Sequence, residues 1–300
     1  IGLQSLDIHN NQFTGSLPDS FSALTALEYF MAYNNYMSGP ICEEIVLMDY
    51  FSKWQLTPQY NDGVFTYSMY ESTDYTGDKT VSRLRTATVG EGINIVLMGE
   101  AYTDKDIANG TYDYAMNLAC EALFKVEPFK SFEDRFNVYA ITLVSKNGHV
   151  MGETAISIDY EPILRDYSGH YNAIDIVNEV IPGLDVEQLT VGVIVNNLPN
   201  AGAESACWYG TTGITPYGSG RSISVIPNKY VNGVDGISDF EYTVIHEIVG
   251  HGFGKLADEY ATYDGSISDA SSVWLEQVQS NYGWAMNVSS TNNPEPVPWN

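Results

Sequence analysis

Residues 3–42 repeat on themselves with a period of about 24 residues. Leu3, Leu6, Ile8, Asn11, Phe13, Gly15 and Leu17 recur as Leu27, Phe30, Ala32, Asn35, Met37, Gly39 and Ile41. So short a unit cannot close a core of its own, and each copy buries its apolar positions only against the next. This part of the chain is therefore bound to coil rather than to fold around one centre. The asparagine serves backbone groups at a tight bend, and the glycine takes a conformation that other residues resist. Fewer than three copies are not stable alone. Residues 1–42 are thus expected to be the end of a longer array, in a fragment whose targeting segment is missing.

The stretch "LDIHNNQFTGSLPDSFSALTAL" resembles a leucine-rich repeat of the type that carries an "NxFxGxLP" segment. The resemblance implies a solenoid able to bind a protein partner. Residues 43–85 change character. "GVFTYSMYESTDYTG" is rich in Tyr, Thr and Phe and is broken by Asn61-Asp62-Gly63 and Gly77-Asp78, which reads as a linker and a small β module. From residue 86 to 300 the pattern is α/β. Apolar runs at 93–99, 136–145, 190–197 and 222–227 read as strands. Helical patterns begin near Asp104, at His170 and at Ser238 or Asp239. Strands interleaved with helices predict a mixed sheet covered by helices.

The charge excludes some partners. Lys and Arg total 13 against 38 Asp and Glu, a formal net charge of −25. Such a surface repels nucleic acid and anionic membrane. Cys42, Cys120 and Cys207 form no CxxC pair, and leave either one bridge or three free thiols.

"HEIVGHGFGKLADEY" spans residues 246–260. The usual helical zinc motif puts two histidines four residues apart, with glutamate after the first. Here His251 follows His246 by five. On an α-helix that spacing separates the rings by about 140°. A π-bulge absorbs the extra residue, and Gly250 marks the place where it costs least. "GFG" then breaks the helix, and "KLADEY" returns two carboxylates. Asp258 is favoured over Glu259 as a third ligand, because it is shorter and comes first. The other carboxylate is left to orient a histidine. A buried helix with two structural histidines is the bland alternative. His9, His149 and His170 are assigned to surface or structure.

"VIHEIVGHGFGKLADEY" resembles the signature of the IgA-peptidase family of bacterial zinc metallopeptidases, in its HExxxH variant. The resemblance extends through "INIVLMGEAYTDKDI", "LFKVEPFKSFEDRFNVYAI", "SISVIPN" and "NVSSTNNPEPVPW". It implies an α/β zinc-metallopeptidase domain of metzincin-like design that runs past residue 300. By position His246, His251 and Asp258 match zinc ligands and Glu247 matches the base. "HEIVGHGFGKL" is also similar to the dipeptidyl peptidase III family, but the EExxxE-type motif that supplies that family's third ligand does not follow Tyr260.

The expected protein is thus a secreted or surface bacterial endopeptidase acting on protein or peptide substrates, a host glycoprotein among them. Tyr260 is the candidate donor to the developing oxyanion. The glycine-rich stretch 205–227 is the candidate substrate cleft. Met286 is read as an ordinary core or loop methionine rather than as part of a Met-turn. A non-catalytic surface adhesin, with the repeats as its binding module, is the alternative class.

Overall fold

The computed structural model describes residues 2–48, 50–150, 152–158, 168–196, 204–207, 220–228, 239–258 and 269–288. The repeat coils as expected. Strands β1 (Ser5–Asp7), β2 (Thr14–Gly15), β3 (Tyr29–Met31), β4 (Tyr36–Met37) and β5 (Gly39–Cys42) are short, and β1 lies parallel to β3 with Ser5 opposite Tyr29. Asn35 sits in the bend between coils. Its Oδ1 accepts the Phe13 N–H at 3.0 Å, and its Nδ2 donates to the Ile8 and Ala32 carbonyls at 3.0 and 2.9 Å.

The stack does not stop at residue 42. After the helix α1 (Glu43–Val46) the chain makes a third coil. Gln55 bridges in parallel to Met31, and β6 (Phe65–Ser68) pairs in parallel with β5. Phe51, Trp54, Leu56, Gln59, Gly63 and Phe65 stand 24 residues after Leu27, Phe30, Ala32, Asn35, Gly39 and Ile41. Gln59 replaces the asparagine. Its Oε1 accepts from the Asn35 and Met37 N–H groups at 3.1 and 3.0 Å, and its Nε2 donates to the Ala32 carbonyl at 3.0 Å. Gly63 meets a stricter demand than conformation, because a Cβ there would lie 2.2 Å from the Met37 carbonyl oxygen. One apolar cluster runs from Leu17 through Leu27, Phe30, Ile41 and Ile45 to Trp54 and Leu56.

The β module expected at 43–85 is therefore divided. Its first half completes the coil, and β7 (Thr80–Arg85) joins the large sheet. Residues between them tie the two parts. The Asp104 carboxylate accepts from the Thr73 and Asp74 N–H groups and the Tyr70 hydroxyl, each at 2.9 Å.

The large sheet adds β8 (Ile93–Glu100), β9 (Phe136–Thr142), β10 (Thr190–Val195), β11 (Glu204–Cys207) and β12 (Ser222–Pro227), in the order β11-β12-β10-β8-β9-β7. The four inner strands are parallel, and the two edges are antiparallel. The expected helix after Asp104 is two, α2 (Asp104–Ala108) and α3 (Thr111–Leu123), because Gly110 between them takes φ +83°. The remaining helices are α4 (Ser168–Val180), α5 (Asp239–Val244) and α6 (Asp269–Tyr282).

Alternation along the strands sorts side chains to the two faces. Ile95, Leu97, Val138, Ala140, Ile194 and Ile226 pack under α3 and α5. Val96, Met98, Ile141, Val191, Val193 and Val225 pack under α4. Buried on both faces, the inner strands read as continuous apolar runs. The chain is a mixed α/β structure with a leucine-rich coil at its N-terminal end.

Candidate metal centre

Helix α5 does not end at Val244 but widens into a π-helix, Ile245–Phe253. Bonding from i to i+5 takes up the extra residue between the histidines and returns both rings to one side. Ile248 and Val249 face the core below, and the His246 side chain is 45% exposed. The widened turn is seated by glycines. At Gly192 on β10 a Cβ would lie 2.4 Å from Ile248 Cδ1, so its absence lets the helix descend onto the sheet. At Gly252 a Cβ would come within 3.1 Å of the Glu247 carbonyl oxygen and of Ser224 Oγ. That hydroxyl donates to the Glu247 carbonyl at 3.0 Å. At Gly250, by contrast, a Cβ would make only an ordinary contact, with the Ile245 carbonyl oxygen at 3.8 Å. The glycines of this turn with least room for a Cβ are thus Gly252 and Gly254, the latter 2.9 Å from the Gly250 carbonyl oxygen, rather than Gly250.

The helix end keeps the extra residue. The Leu256 N–H reaches the Gly250 carbonyl at 3.0 Å and the Lys255 N–H reaches that of His251 at 3.1 Å. Each bond spans one residue more than in the usual Schellman closure. The left-handed residue that turns the chain is Lys255, at φ +54°, whereas Gly254 stays helical at φ −72°. The turn still needs the "GFG" glycines for their lack of a Cβ, which at Gly254 would lie 3.0 Å from the Val249 carbonyl oxygen. It serves a second purpose, since the Leu256 carbonyl comes back to 2.6 Å from His251 Nδ1.

That contact fixes the chemistry of His251. A carbonyl oxygen only accepts, so Nδ1 carries the proton, and in a neutral ring Nε2 is left with a lone pair. Nε2 lies 3.0 Å from His246 Nε2 and 3.1 Å from Asp258 Oδ1. The third side of the triangle, His246 Nε2 to Asp258 Oδ1, is 3.1 Å. Two acceptors, His251 Nε2 and Asp258 Oδ1, therefore face each other at hydrogen-bond distance. A cation at the centre, or an added proton on His251, relieves the repulsion. For a tetrahedral ion with ligands at about 2.0–2.1 Å, ligand atoms sit about 3.3 Å apart. The observed triangle is close to one face of that tetrahedron. His246, His251 and Asp258 form a metal-capable group among the described residues.

The other candidates fall as follows. Glu247, on the same turn, is 6% exposed. Glu259 and Tyr260 lie outside the described residues, as does most of the glycine-rich stretch 205–227. Its first residues belong to the edge strand β11 rather than to a loop. Met286 is half-buried in the turn after α6. His9 stacks on Tyr33 with ring centroids 4.6 Å apart and pairs with Asp7. His149 and His170 are buried. Cys42 and Cys120 are free thiols. Sequence reasoning missed the Leu256 carbonyl, for which no side-chain pattern codes. It also missed Asn287, although that residue opens the quoted stretch "NVSSTNNPEPVPW".

Among family models, that of the Leucine Rich Repeat matches residues 2–24, and no peptidase family is found. No curated protein matches the chain. A leucine-rich repeat suggests protein binding. Among the described residues no helix is long and apolar enough to cross a membrane.

Proposed function

We propose that the chain is a zinc-dependent endopeptidase, secreted or held at a bacterial cell surface, that hydrolyses peptide bonds in protein substrates. The triangle of His246, His251 and Asp258 carries this reading. Two imidazoles and one carboxylate suit zinc, and three protein ligands with an open fourth position are the pattern of catalytic rather than structural sites. Zinc bound there supplies a water of near-neutral pKa and an electrophile for the scissile carbonyl. Glu247 follows the first ligand on the same turn. Its carboxylate takes a proton from the attacking water and passes it to the leaving amine. Tyr260 donates to the oxygen on which charge develops. The resemblance of residues 246–260 to the IgA-peptidase signature supports the assignment, and with it a metzincin-like design. The repeats would hold a protein substrate near the site.

A second reading keeps the repeats as the functional part and the α/β unit as scaffold, in a surface adhesin. The repeat match favours it. One experiment separates the two. Metal content and peptide cleavage are measured for the parent and for Glu247→Gln. About one zinc per chain in both, with cleavage in the parent alone, is expected for the enzyme. Zinc without cleavage in the parent leaves the binding protein, and failure to take up zinc removes the peptidase reading.

A further inference from the structure

We infer that Asn287 is the positioning residue for the third ligand, Asp258; the inference rests on the metal reading above. The segment that carries Asp258 has no secondary structure, and the Asp258 side chain is 44% exposed. Packing does not hold it. Its position is set by the backbone just before it, at Ala257. There Asn287 makes two bonds. Its Oδ1 accepts the Ala257 N–H at 2.9 Å, and its Nδ2 donates to the Ala257 carbonyl at 2.7 Å. One amide thus brackets both polar groups of one residue, as a neighbouring strand would.

The bracket is itself anchored. The Ala285 N–H donates to the Lys255 carbonyl at 2.7 Å. Gln279 on α6 donates to the Ala285 and Val288 carbonyls at 2.8 and 2.7 Å. Leu275, Val278 and Ala285 form a small apolar cluster against which Ala257 and Trp284 pack. The Lys255 ammonium stands 5.5 Å from the Trp284 ring centre. The turn after α6 therefore acts as an external strap. It fixes the two peptide groups of Ala257, which leaves Asp258 few directions in which to point. The histidines need no such help, because the π-helix and the Leu256 carbonyl already aim them. Of the three ligands, the carboxylate alone is placed through Ala257, by a residue 30 positions downstream of that alanine.

The test uses the full chain with zinc, and with cobalt(II) as a spectroscopic stand-in. Zinc affinity is measured by chelator competition for the parent, Asn287→Ala, Asn287→Ser and Asp258→Ala. Neither Ala nor Ser can span both groups of Ala257. Both Asn287 variants should bind zinc about 10- to 100-fold more weakly, the usual scale for losing a residue that orients a ligand. Their cobalt(II) absorption spectra should move toward that of Asp258→Ala, while near-ultraviolet circular dichroism stays as in the parent. Parent-like affinity and spectrum in either folded variant, with both lost in Asp258→Ala, overturns the inference and leaves the metal site standing. Weaker binding with an unchanged cobalt spectrum also overturns it, because Asn287 would then only stabilise the fold. A parent that takes up neither ion defeats the metal reading itself.

Discussion

His251 is readable in the sequence as a ligand candidate, but its protonation is not. The ring is committed by the Leu256 carbonyl at Nδ1, which turns Nε2 toward His246 and Asp258. The candidate ligand types were legible because histidine and carboxylate chemistry travels with the side chain. The backbone that aims them was not, since it depends on which glycine meets another element. Gly192 illustrates this. It stands in an apolar strand with no sequence sign of function, yet Ile248 and Leu97 fill the space a Cβ would take, at 2.4 and 2.9 Å. Gly192→Ala is expected to destabilise the chain by about 1–3 kcal/mol, the usual cost of overpacking, and to weaken metal binding by lifting the π-helix off β10. Urea midpoints and chelator competition measure both effects. A variant with parent-like values for both would show that Ile248 repacks freely. Asp258→Ala should weaken zinc binding sharply, while Glu259→Ala should weaken it by only about 10- to 100-fold. Equal losses in the same competition assay would show that both carboxylates touch the ion.

Among the elements, β8, β10 and β12 were legible because strands covered on both faces are written as apolar runs. The widened helix was legible from one count, the five residues from His246 to His251. β7 was misplaced because "TVSRLR" is mostly exposed and reads like any surface strand. Parallel order and edge positions depend on pairings between distant segments, which no local pattern states. The third coil was hidden for a chemical reason. Gln59 performs the asparagine's hydrogen bonding with a longer arm, and Trp54 stands where the earlier copy has Phe30. This decides the sound place for a truncation. Removing residues 1–42 takes away Leu27, Phe30 and Ile41 and strips Phe51, Trp54 and Leu56 of their cover. That chain should aggregate or show solvent-exposed tryptophan fluorescence. A chain starting at Tyr70 loses all the coils but keeps Tyr70, Thr73 and Asp74 on Asp104. It is expected to fold with a cooperative thermal transition and to bind zinc like the parent. Aggregation of this chain as well would mean that the coils help to build the α/β unit.

At the scale of the whole molecule, acid should loosen the fold in two separable steps. Burial pushes the His149 and His170 imidazoles down to about 4, from an ordinary 6.5. The unfolded chain therefore binds more protons than the folded one between these values, and stability falls as the pH drops through that window. Each imidazole contributes on the order of 3 kcal/mol, fully present above pH 6.5 and lost by about pH 4. Glu100 acts in the opposite sense. Burial raises its carboxyl despite bonds from Thr154, Ile156 and Ile158, so it opposes folding most at neutral pH and less as it protonates. The second step belongs to the junction between the coils and the α/β unit. Partial burial pushes the Asp104 carboxyl up, but the Thr73 and Asp74 N–H groups and the Tyr70 hydroxyl hold it down to about 2, from 3.8. Its contribution is present above pH 3.8 and disappears as the pH falls toward 2. Thermal midpoints between pH 7 and 2 should then decline first over the histidine window and again below pH 4. His149→Gln with His170→Gln should flatten the first decline and leave the second. Asp104→Asn should do the reverse, because an amide keeps one acceptor but cannot lose a charge. A decline between pH 7 and pH 4 that is the same in the parent and in the double histidine variant would mean that the imidazoles reach water in the folded state, and that His149 and His170 are not sealed in the α/β unit.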